Sequence, residues 1–418
     1  MEGVTEMNTL TFLYIDPGTG SMRLSLFLGI ATAAVFGIRA LFIKLQVIFS
    51  GGRADKTQSE KQIPYVIYSD HKRYWNVFKP ICDEFEKRGI DLLYLTQSDD
   101  DPALSQKYNH VKVEFIGEGN KGFARLNFLK AEIFLSTTPG LDVYQWKKSK
   151  SVKWYVHIPH SADELAGYRM FGLDYYDAVL TTGENQVELI RKIEDLRPSI
   201  TKKEIVTVGS VPLDNLKKRY DSVQKNKQNE KPVVLLAPSW GPSGILSRYG
   251  AKLLSALQQT NFKIIVRPHP QTVVSEKNIL EPLEKQFSNI EWNYDNDNFD
   301  VLNKTDLLIT DFSGIIFDFA CVFDKPLIYT DTNFDTLPYD ADWIDEPRWA
   351  FKVLPEIGIR LEESDFANIE NIINCAMESK NLQGGRNKIR QECWENIGNS
   401  AAKTVDYLIK KQMEISNI

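Results

Sequence analysis

Three of the five histidines in the chain follow apolar runs that are typical of buried β-strands. One of them, His269, lies in the run IIVRPHPQ, where a proline on each side holds it in a loop and Arg267 precedes it. Arginine offers a fixed fork of donors to phosphate oxygens, and histidine can donate a hydrogen bond to a leaving phosphate. The stretch therefore predicts an anion site, although a structural role is the usual alternative for a single histidine.

A second candidate site lies in DLLITDFSGIIFDFACVFDKPLIY, residues 306–329. An apolar strand ends at Asp311, FSG forms a turn, and IIFDFACVF is predicted as a short helix. Ser313 and Gly314 then fall at a helix N-terminus, where free N–H groups and the helix dipole attract anions. Asp318, one turn further along, could orient an imidazole or a substrate hydroxyl, or it could act as a cap or surface residue. A capped turn without a ligand is the alternative for the motif as a whole.

The other two histidines at a strand end are His157 and His160, in the run KWYVHIPHSADELAGY. A zinc site formed by this pair is disfavoured because the spacing crosses a proline and does not match the HExxH helix of zinc enzymes. The sequence also contains no Walker P-loop and no GxGxxG motif. We therefore expect neither a metal nor a cofactor.

The strands and helices that carry these side chains are indicated by a regular alternation of short apolar runs with helical patterns from residue 62 onward. Such alternation favours two α/β domains with parallel sheets that deliver their carboxyl ends to a shared cleft. The polar stretch 222–232 is the best interdomain linker. The predicted division is a leader and membrane anchor at 1–61, an α/β domain at 62–225, a second α/β domain at 226–395, and a C-terminal helix at 396–418 that could cross back.

The N-terminal leader contains a run of 15 uncharged residues, 24–38, which extends to about 20 residues if the segment continues to position 43. That length suits a membrane span at about 22–43, provided that Arg39 snorkels to an interface. A buried soluble helix is the alternative. Basic residues are more numerous after the segment than before it, so the body of the protein is expected on the cytoplasmic side of the cell inner or plasma membrane.

The composition describes an ordinary globular enzyme: 418 residues, 50 Lys+Arg against 56 Asp+Glu and a formal charge of -6. A mildly acidic chain of this kind is not expected to bind nucleic acid. The four cysteines have no metal-ligand spacing and are expected to be reduced thiols.

VRPHP and the later LLITDFSGIIFDFACVFDKPLIY together resemble the CDP-glycerol glycerophosphotransferase family of teichoic-acid primases and polymerases. The APSW turn with Ser239 and Trp240 and the stretch VGSVPLDNL are similar to further family motifs, and HIPHSADELAG resembles a segment that carries the family's histidine. The chain departs from the family pattern in four respects: a lysine expected a few residues after Ser161 is absent, and three positions carry other residues. Gly314 replaces a second serine, Leu213 stands where arginine is usual, and Ser161 follows His160 instead of glycine.

The resemblance implies a GT-B-like pair of Rossmann-like domains, with the donor nucleotide mainly on the second domain and the acceptor mainly on the first. It implies transfer of glycerol phosphate from CDP-glycerol, or a related CDP-polyol, to a hydroxyl of a lipid-linked glycan or polymer, with release of CMP. The implied catalytic residues are His160, as general base, and His269, with His157 as a further candidate. The implied donor-binding residues are Arg267, Asp311, Ser313, Gly314, Asp318, Ser239 and Trp240.

Two other functions stay open at this point: a GT-B glycosyltransferase that uses a nucleotide sugar, and a non-catalytic membrane-bound protein that binds nucleotides. The sequence does not define the acceptor, the polyol or the oligomeric state.

Overall fold

The computed structural model describes residues 62–143, 146–223, 231–330 and 334–417. The predicted membrane segment at about 22–43 and most of the predicted linker lie outside these ranges. The unit from Gln62 to Ile418 contains both sheets. Within the described ranges, every helix is too short or too polar to traverse a bilayer.

The first sheet has seven parallel strands in the order β3-β2-β1-β4-β5-β6-β7. Along β1, Tyr65 and Ile67 enter the core on one face while Val66 and Tyr68 enter the core on the other. Both faces are buried, which explains why the strands are continuous apolar runs rather than alternating ones. The strands are β1 Ile63–Ser69, β2 Leu92–Thr96, β3 Val111–Phe115, β4 Ala131–Ser136, β5 Val152–His157, β6 Ala178–Thr181 and β7 Glu204–Thr207.

The second sheet has six parallel strands in the order β10-β9-β8-β11-β12-β13. Val233 and Leu235 of β8 pack on one face, and Val234 and Leu236 pack on the other. The two sheets confirm the predicted α/β class with two parallel-sheet, Rossmann-like domains. The strands are β8 Val233–Leu236, β9 Lys263–Val266, β10 Glu291–Trp292, β11 Leu307–Thr310, β12 Leu327–Tyr329 and β13 Gly358–Arg360.

Helices cover both faces of each sheet and supply the other half of each core. The helices that follow the first sheet's strands are α1 Trp75–Arg88, α2 Asn120–Asn127, α3 Glu184–Leu196 and α4 Val211–Ser222. Those associated with the second sheet are α5 Ile245–Gln258, α6 Pro270–Ser275, α7 Lys277–Gln286, α8 Phe299–Lys304, α9 Ile315–Asp318, α10 Trp349–Ile357, α11 Ile369–Glu378 and α12 Asn381–Cys393, and the last helix is α13 Ser400–Ser416. Short 3-10 turns occur at Lys72–Tyr74, Pro102–Ser105, Leu165–Gly167, Asp340–Trp343 and Glu363–Asn368.

Helix α1 illustrates how the sequence sets an element and its ends. Its buried side chains recur at three- and four-residue intervals, so one stripe of the helix faces the sheet: Trp75, Val77, Phe78, Ile81, Cys82 and Phe85. The helix ends at Gly89, whose φ of 66° is left-handed, and the Ile90 N–H then bonds to the Phe85 carbonyl.

The predicted helix IIFDFACVF forms, but only its first turn is α-helical. Helix α9 continues directly into a π-helical turn at Phe319–Phe323, all of whose side chains are buried. The chain then leaves the helix at Asp324, which has a φ of 51°. This irregular turn fits its five apolar residues into the core beside the next strand.

The C-terminal helix predicted at 396–418 begins at Ser400, after a break that separates it from the helix ending at Cys393. Asn396 and Gly398 in the break have φ values of 50° and 80°. The carboxylate of Asp214, on α4, accepts three hydrogen bonds from this stretch: from Trp394 Nε1 at 2.9 Å, from the Gly398 N–H at 2.7 Å and from the Ser400 N–H at 2.8 Å. Helix α13 then packs against α1 and β4 of the first sheet. The domain boundaries at 225/226 and 395/396 stay predictions.

Replacing Asp214 with Ala is expected to destabilise the protein, because three donors lose a charged acceptor that ties the crossing segment to α4. Hydrogen bonds to charged groups contribute about 1.5–3 kcal/mol each, and relaxation recovers part of this, so we expect a loss of about 2–4 kcal/mol in the free energy of unfolding. Urea unfolding monitored by circular dichroism measures it. The matched control is Asp221→Ala on the same helix, where an exposed carboxylate pairs with Lys217 alone among the described residues. This variant should lose about 0.5 kcal/mol or less. Equal losses in the two variants would show that Asp214 does not hold the crossing segment.

Candidate active site

The carboxyl ends of strands from both sheets line one cleft of about 720 Å³. In the first sheet the strand order reverses between β1 and β4, and in the second it reverses between β8 and β11. Loops diverge at such reversal points and leave a crevice in which ligands of open α/β sheets bind. The predicted residues that line this cleft are His160, Arg267, His269, Ser313, Gly314 and Asp318.

Arg267 and His269 follow strand β9, and each is held in place by polar contacts. The guanidinium of Arg267 bonds to the Asn293 side chain and to the Asp295 carbonyl oxygen at 2.8 Å from Nη2. His269 is the N-cap of α6, and its Nδ1 accepts the Gln271 N–H at 3.1 Å. A neutral imidazole that accepts at Nδ1 carries its proton on Nε2, so His269 presents an N–H donor.

The environment keeps His269 neutral at physiological pH. Burial, together with the positive charges of Arg73 and Arg267, lowers the pKa of His269 to about 4. An anion bound nearby would oppose the lowering of this pKa by the two arginines. The imidazole is thus a neutral hydrogen-bond donor in the free protein.

Asp311, predicted as a donor ligand, lies beneath the cleft rather than in it. Its fully buried carboxylate accepts the backbone N–H groups of Ser239 at 2.8 Å, Ile245 at 3.1 Å and Phe312 at 2.7 Å. Burial raises the pKa of Asp311, and the hydrogen bonds oppose that rise. Asp311 therefore fixes the β8 loop against the β11 loop. In the β8 loop, Ser239 is buried and Trp240 is 41% exposed, and neither lines the cleft.

Asp318 is half-buried at the floor of the cleft, where its Oδ2 accepts Asn298 Nδ2 at 3.0 Å. Burial raises the pKa of Asp318 to about 6. The carboxyl group is therefore close to half-protonated in slightly acidic solution, unlike an exposed aspartate.

His160 lies on the opposite wall of the cleft, after strand β5. Its Nδ1 is 3.4 Å from Thr137 Oγ1, and its ring stacks on Tyr168 with a centroid separation of 6.4 Å. Burial and the charge of Arg73 lower the pKa of His160 to about 4, so the ring is neutral at physiological pH. When Nδ1–H donates to the threonine, the Nε2 lone pair is available to accept a proton from a substrate hydroxyl.

His157 lies outside the cleft and is fully buried. Its Nε2 is 3.0 Å from Tyr168 Oη, its Nδ1 has no hydrogen-bond partner among the described residues, and burial lowers its pKa to about 3. Because Tyr168 also stacks on His160, His157 supports the wall of the cleft and is not placed to touch a substrate.

The cleft narrows where Gly314 faces Ser161 across it. A Cβ atom placed on Gly314 would lie 3.0 Å from Ser161 Oγ. Both positions are among those at which the chain departs from the family pattern.

Several cleft residues were not predicted from the sequence: Lys72, Arg73, Lys79, Asn215, Arg219 and Asn296–Asn298. The signal for Arg73 was present, since SDHKRYW directly follows strand β1. The run NYDNDNFD after β10 contains the residues that hold Arg267 and Arg219 in place. In the described part of the chain, no group of three or more histidine, cysteine or acidic side chains could hold a metal ion.

Comparisons with known proteins match part of the chain by sequence and most of it by fold. Residues 196–347 match the model of the family described as CDP-glycerol:poly(glycerophosphate) glycerophosphotransferase. No curated protein sequence is significantly similar to the chain.

Solved structures with the same fold include the wall teichoic acid polymerase TagF in a form soaked with CDPG, at 16% identity and a TM-score of 0.57 over 91% of this chain and 98% of that one. A further TagF structure matches at 15% identity and a TM-score of 0.56, with the same coverage. A putative UDP-N-acetylglucosamine 2-epimerase from Listeria monocytogenes matches at 13% identity and a TM-score of 0.51, over 85% of this chain and 97% of that one. At these identities the likeness concerns the fold, which is GT-B-like.

The matched segment 196–347 includes Arg267, His269, Ser313 and Asp318, the second-sheet residues that line the cleft. Over this segment the chain is similar to the CDP-glycerol glycerophosphotransferases.

Proposed function

We propose that the enzyme transfers glycerol phosphate from CDP-glycerol to a hydroxyl of a lipid-linked envelope polymer or glycan at the membrane, and releases CMP. The observation that carries this proposal is the placement of two neutral histidines, His160 and His269, on opposite walls of one cleft. One wall bears a hydrogen-bond donor beside an arginine, and the other bears a histidine with an available lone pair. Transfer of a phosphoryl group between two oxygens needs both.

The donor diphosphate occupies the wall formed by the second sheet. Arg267 supplies a fixed cation, because its guanidinium is already bound to the Asn293 side chain and the Asp295 carbonyl. The Nε2–H of His269 donates to a phosphate oxygen, and Ser313 offers its hydroxyl from the turn after β11. These groups are in position before the substrate binds, so little reorganisation accompanies the growth of charge on the leaving CMP.

The acceptor hydroxyl approaches from the wall formed by the first sheet. Its oxygen attacks the phosphorus that bears the glycerol, the bond from this phosphorus to the CMP oxygen breaks, and His160 Nε2 takes the hydroxyl proton. The negative charge of the diphosphate raises the basicity of the imidazole once the donor is bound, which offsets the effect of Arg73 in the free protein.

The acceptor is proposed to be lipid-linked because the segment 22–43 is long and apolar enough to anchor the protein in a membrane. An anchor confines the enzyme to the surface on which such an acceptor diffuses and so raises its effective concentration. This segment lies outside the described residues, and its sequence is what supports this part of the proposal.

The direct test is an assay of CMP release and glycerol phosphate transfer with purified full-length protein in vesicles. CDP-glycerol, CDP-ribitol and a UDP-sugar are compared as donors, each with a lipid-linked saccharide and with a water-soluble analogue of it. The proposal expects transfer from CDP-glycerol to the lipid-linked acceptor. Transfer only from the UDP-sugar would establish a glycosyltransferase instead, and binding of a nucleotide without any transfer would establish a non-catalytic protein.

Replacing either cleft histidine should slow transfer, because general acid–base groups contribute roughly 10²–10⁴-fold to a rate. His160→Gln is expected to lose kcat while CDP-glycerol binding is kept, since the donor contacts the opposite wall. His269→Gln is expected to lose both kcat and donor affinity. CMP release and calorimetric binding measure these effects.

The matched control for these variants is His110→Gln, where an exposed histidine bonds to Asp91 outside the cleft. Its activity should equal that of the wild type. Full activity in both His160→Gln and His269→Gln would contradict the assignment.

Donor binding is expected to take up protons and to strengthen as the pH falls from about 7 to about 5. His269 and His160 have a pKa of about 4 in the free protein, and Asp318 one of about 6. The anionic diphosphate raises all three pKa values, so each group takes up a proton on binding at a pH between its pKa in the free protein and its raised pKa in the complex. The logarithm of the binding constant then changes by at most about one unit per pH unit for each proton taken up. Calorimetry in two buffers of different protonation enthalpy measures the uptake at about pH 5.5.

Proton uptake measured in Asp318→Asn and in His269→Gln shows how much of the total belongs to the carboxyl group and how much to the imidazoles. Each variant should take up fewer protons than the wild type. Binding without any proton exchange across the range would contradict an anion site beside these groups.

A positive charge in the middle of the segment 22–43 should detach the protein from membranes. Lysine near the centre of a span costs about 2.5–3.5 kcal/mol on insertion scales, so Ile30→Lys combined with Val35→Lys should move the protein into the soluble fraction. Ile30→Leu combined with Val35→Leu is the control and should stay with the membrane. Sedimentation of cell membranes followed by immunoblotting measures the distribution, and equal sedimentation of both variants would refute the anchor.

A further inference from the structure

One arginine of the cleft, Arg73, was assigned no role by the motifs, and the inference about it rests on the proposed function. It lies in the 3-10 turn Lys72–Tyr74, directly after strand β1 at the point where the order of the first sheet reverses. The turn is fixed by its own hydrogen bonds: His71 Nδ1 accepts the Arg73 N–H at 3.1 Å, and Ser98 Oγ accepts the Lys72 N–H at 3.0 Å. The backbone of Arg73 is therefore held rigidly while its side chain is exposed in the cleft.

Arg73 differs from the other basic side chains of the cleft because its charge is unpaired. Lys72 pairs with Asp100, Lys79 with Asp83 and Arg219 with Asp297, while Arg267 is bound by Asn293 and the Asp295 carbonyl. Among the described residues, no carboxylate lies within ion-pair distance of Arg73, and its guanidinium contacts only the Tyr74 ring, at 5.6 Å. Its donors are thus available to an anionic ligand.

The position of Arg73 relates it to both walls of the cleft. Arg73 lines the cleft together with His160 and His269, and the ring centroid of the adjacent Tyr74 lies 5.0 Å from that of His160. The charge of Arg73 lowers the pKa of both histidines. In an in-line displacement the attacking and leaving oxygens lie on opposite sides of the phosphorus. If His160 serves the attacking oxygen and His269 the leaving one, a cation that lines the same cleft as both rings can reach the remaining oxygens of the phosphorus.

We propose that Arg73 is a catalytic residue that binds the non-bridging oxygens of the transferred phosphate. As the acceptor oxygen bonds to the phosphorus and the bond to CMP breaks, the acceptor proton passes to His160 and the electron pair of the broken bond stays on the CMP oxygen. The charge on the non-bridging oxygens is then flanked by Arg73 from the first sheet, while Arg267 holds the CMP phosphate from the second. The planar fork of an arginine suits two such oxygens at once.

The test compares Arg73→Ala and Arg73→Lys with the wild type in CMP release and in CDP-glycerol binding. Arg73→Ala should lose roughly 10²–10³-fold in kcat, as enzymes do when one preorganised donor to a transition state is removed. The kcat of Arg73→Lys should lie between those of Arg73→Ala and the wild type, since an ammonium group keeps the charge but not the planar fork of donors. The Kd for CDP-glycerol should change by no more than about 3-fold, because the ground-state donor is held on the opposite wall.

Chemical rescue supplies a second measurement. Millimolar guanidinium should restore part of the activity of Arg73→Ala and none of that of His160→Gln, because only the first variant has a cavity of the matching shape and charge. Thermal unfolding should be unchanged in Arg73→Ala, since the side chain is exposed.

The matched control is Arg125→Ala, which removes an exposed arginine from helix α2 outside the cleft. It should keep activity within about 2-fold, as expected for a surface ion pair. Full activity of Arg73→Ala, or a loss confined to donor affinity with kcat unchanged, would overturn the inference while leaving the proposed function intact. Inactivity of the wild type with CDP-glycerol would instead overturn the proposed function.

Discussion

The cleft depends on a buried ion pair between Glu164, which belongs to the first sheet's loops, and Arg348, which follows the second sheet's strand β12. Glu164 Oε1 accepts Arg348 Nε at 2.6 Å, and Oε2 accepts the Trp349 N–H at 2.8 Å. Both side chains are less than one-tenth exposed. Burying two charges is costly unless each is fully bonded, so the pair stabilises only the arrangement of the halves in which these contacts are all made. The ion pair is a constraint on geometry more than a source of stability.

The same interface reaches the histidine on the first wall. Beside the ion pair, the segment 334–348 lies along the loops of the first sheet, where the Asp340 N–H donates to the Tyr168 carbonyl at 2.9 Å and the Met170 N–H donates to the Pro338 carbonyl at 3.2 Å. Tyr168 in turn stacks on His160 and contacts His157. The position of the proposed base is thereby coupled to a segment that comes from the other half of the chain.

Much of the fold could be predicted from the sequence because local patterns encode it. The strands are short and apolar on both faces, as in β1 and β8, and α1 shows a helical stripe that ends at a glycine. The break between α12 and α13 and the course of 334–348 could not be predicted, because distant partners determine them. The break is held by Asp214, which lies almost two hundred positions earlier in the chain, and the segment 334–348 is held by Tyr168.

The candidate site was predictable where a motif and a strand end coincide, as at His160, Arg267, His269, Ser313 and Asp318, although the roles of these residues stay predictions. The site was not predictable from the sequence at positions where burial gives a side chain a structural role instead of a ligand-binding one. Asp311 has the sequence context of a ligand but serves the backbone of two loops, and Trp240 follows a matching turn but lies outside the cleft. Arg73 carries no motif, and only the strand order places it opposite the second sheet.

The narrow approach of Gly314 to Ser161 has a consequence for how the two walls can vary. A Cβ atom at position 314 would lie only 3.0 Å from Ser161 Oγ, so a side chain there would require the serine hydroxyl to move by a few tenths of an ångström. The family pattern has serine at the first position and glycine at the second, and this chain has the reverse. The two departures are therefore in contact with each other, and a side chain at position 314 would be accommodated only by a shift of the Ser161 hydroxyl.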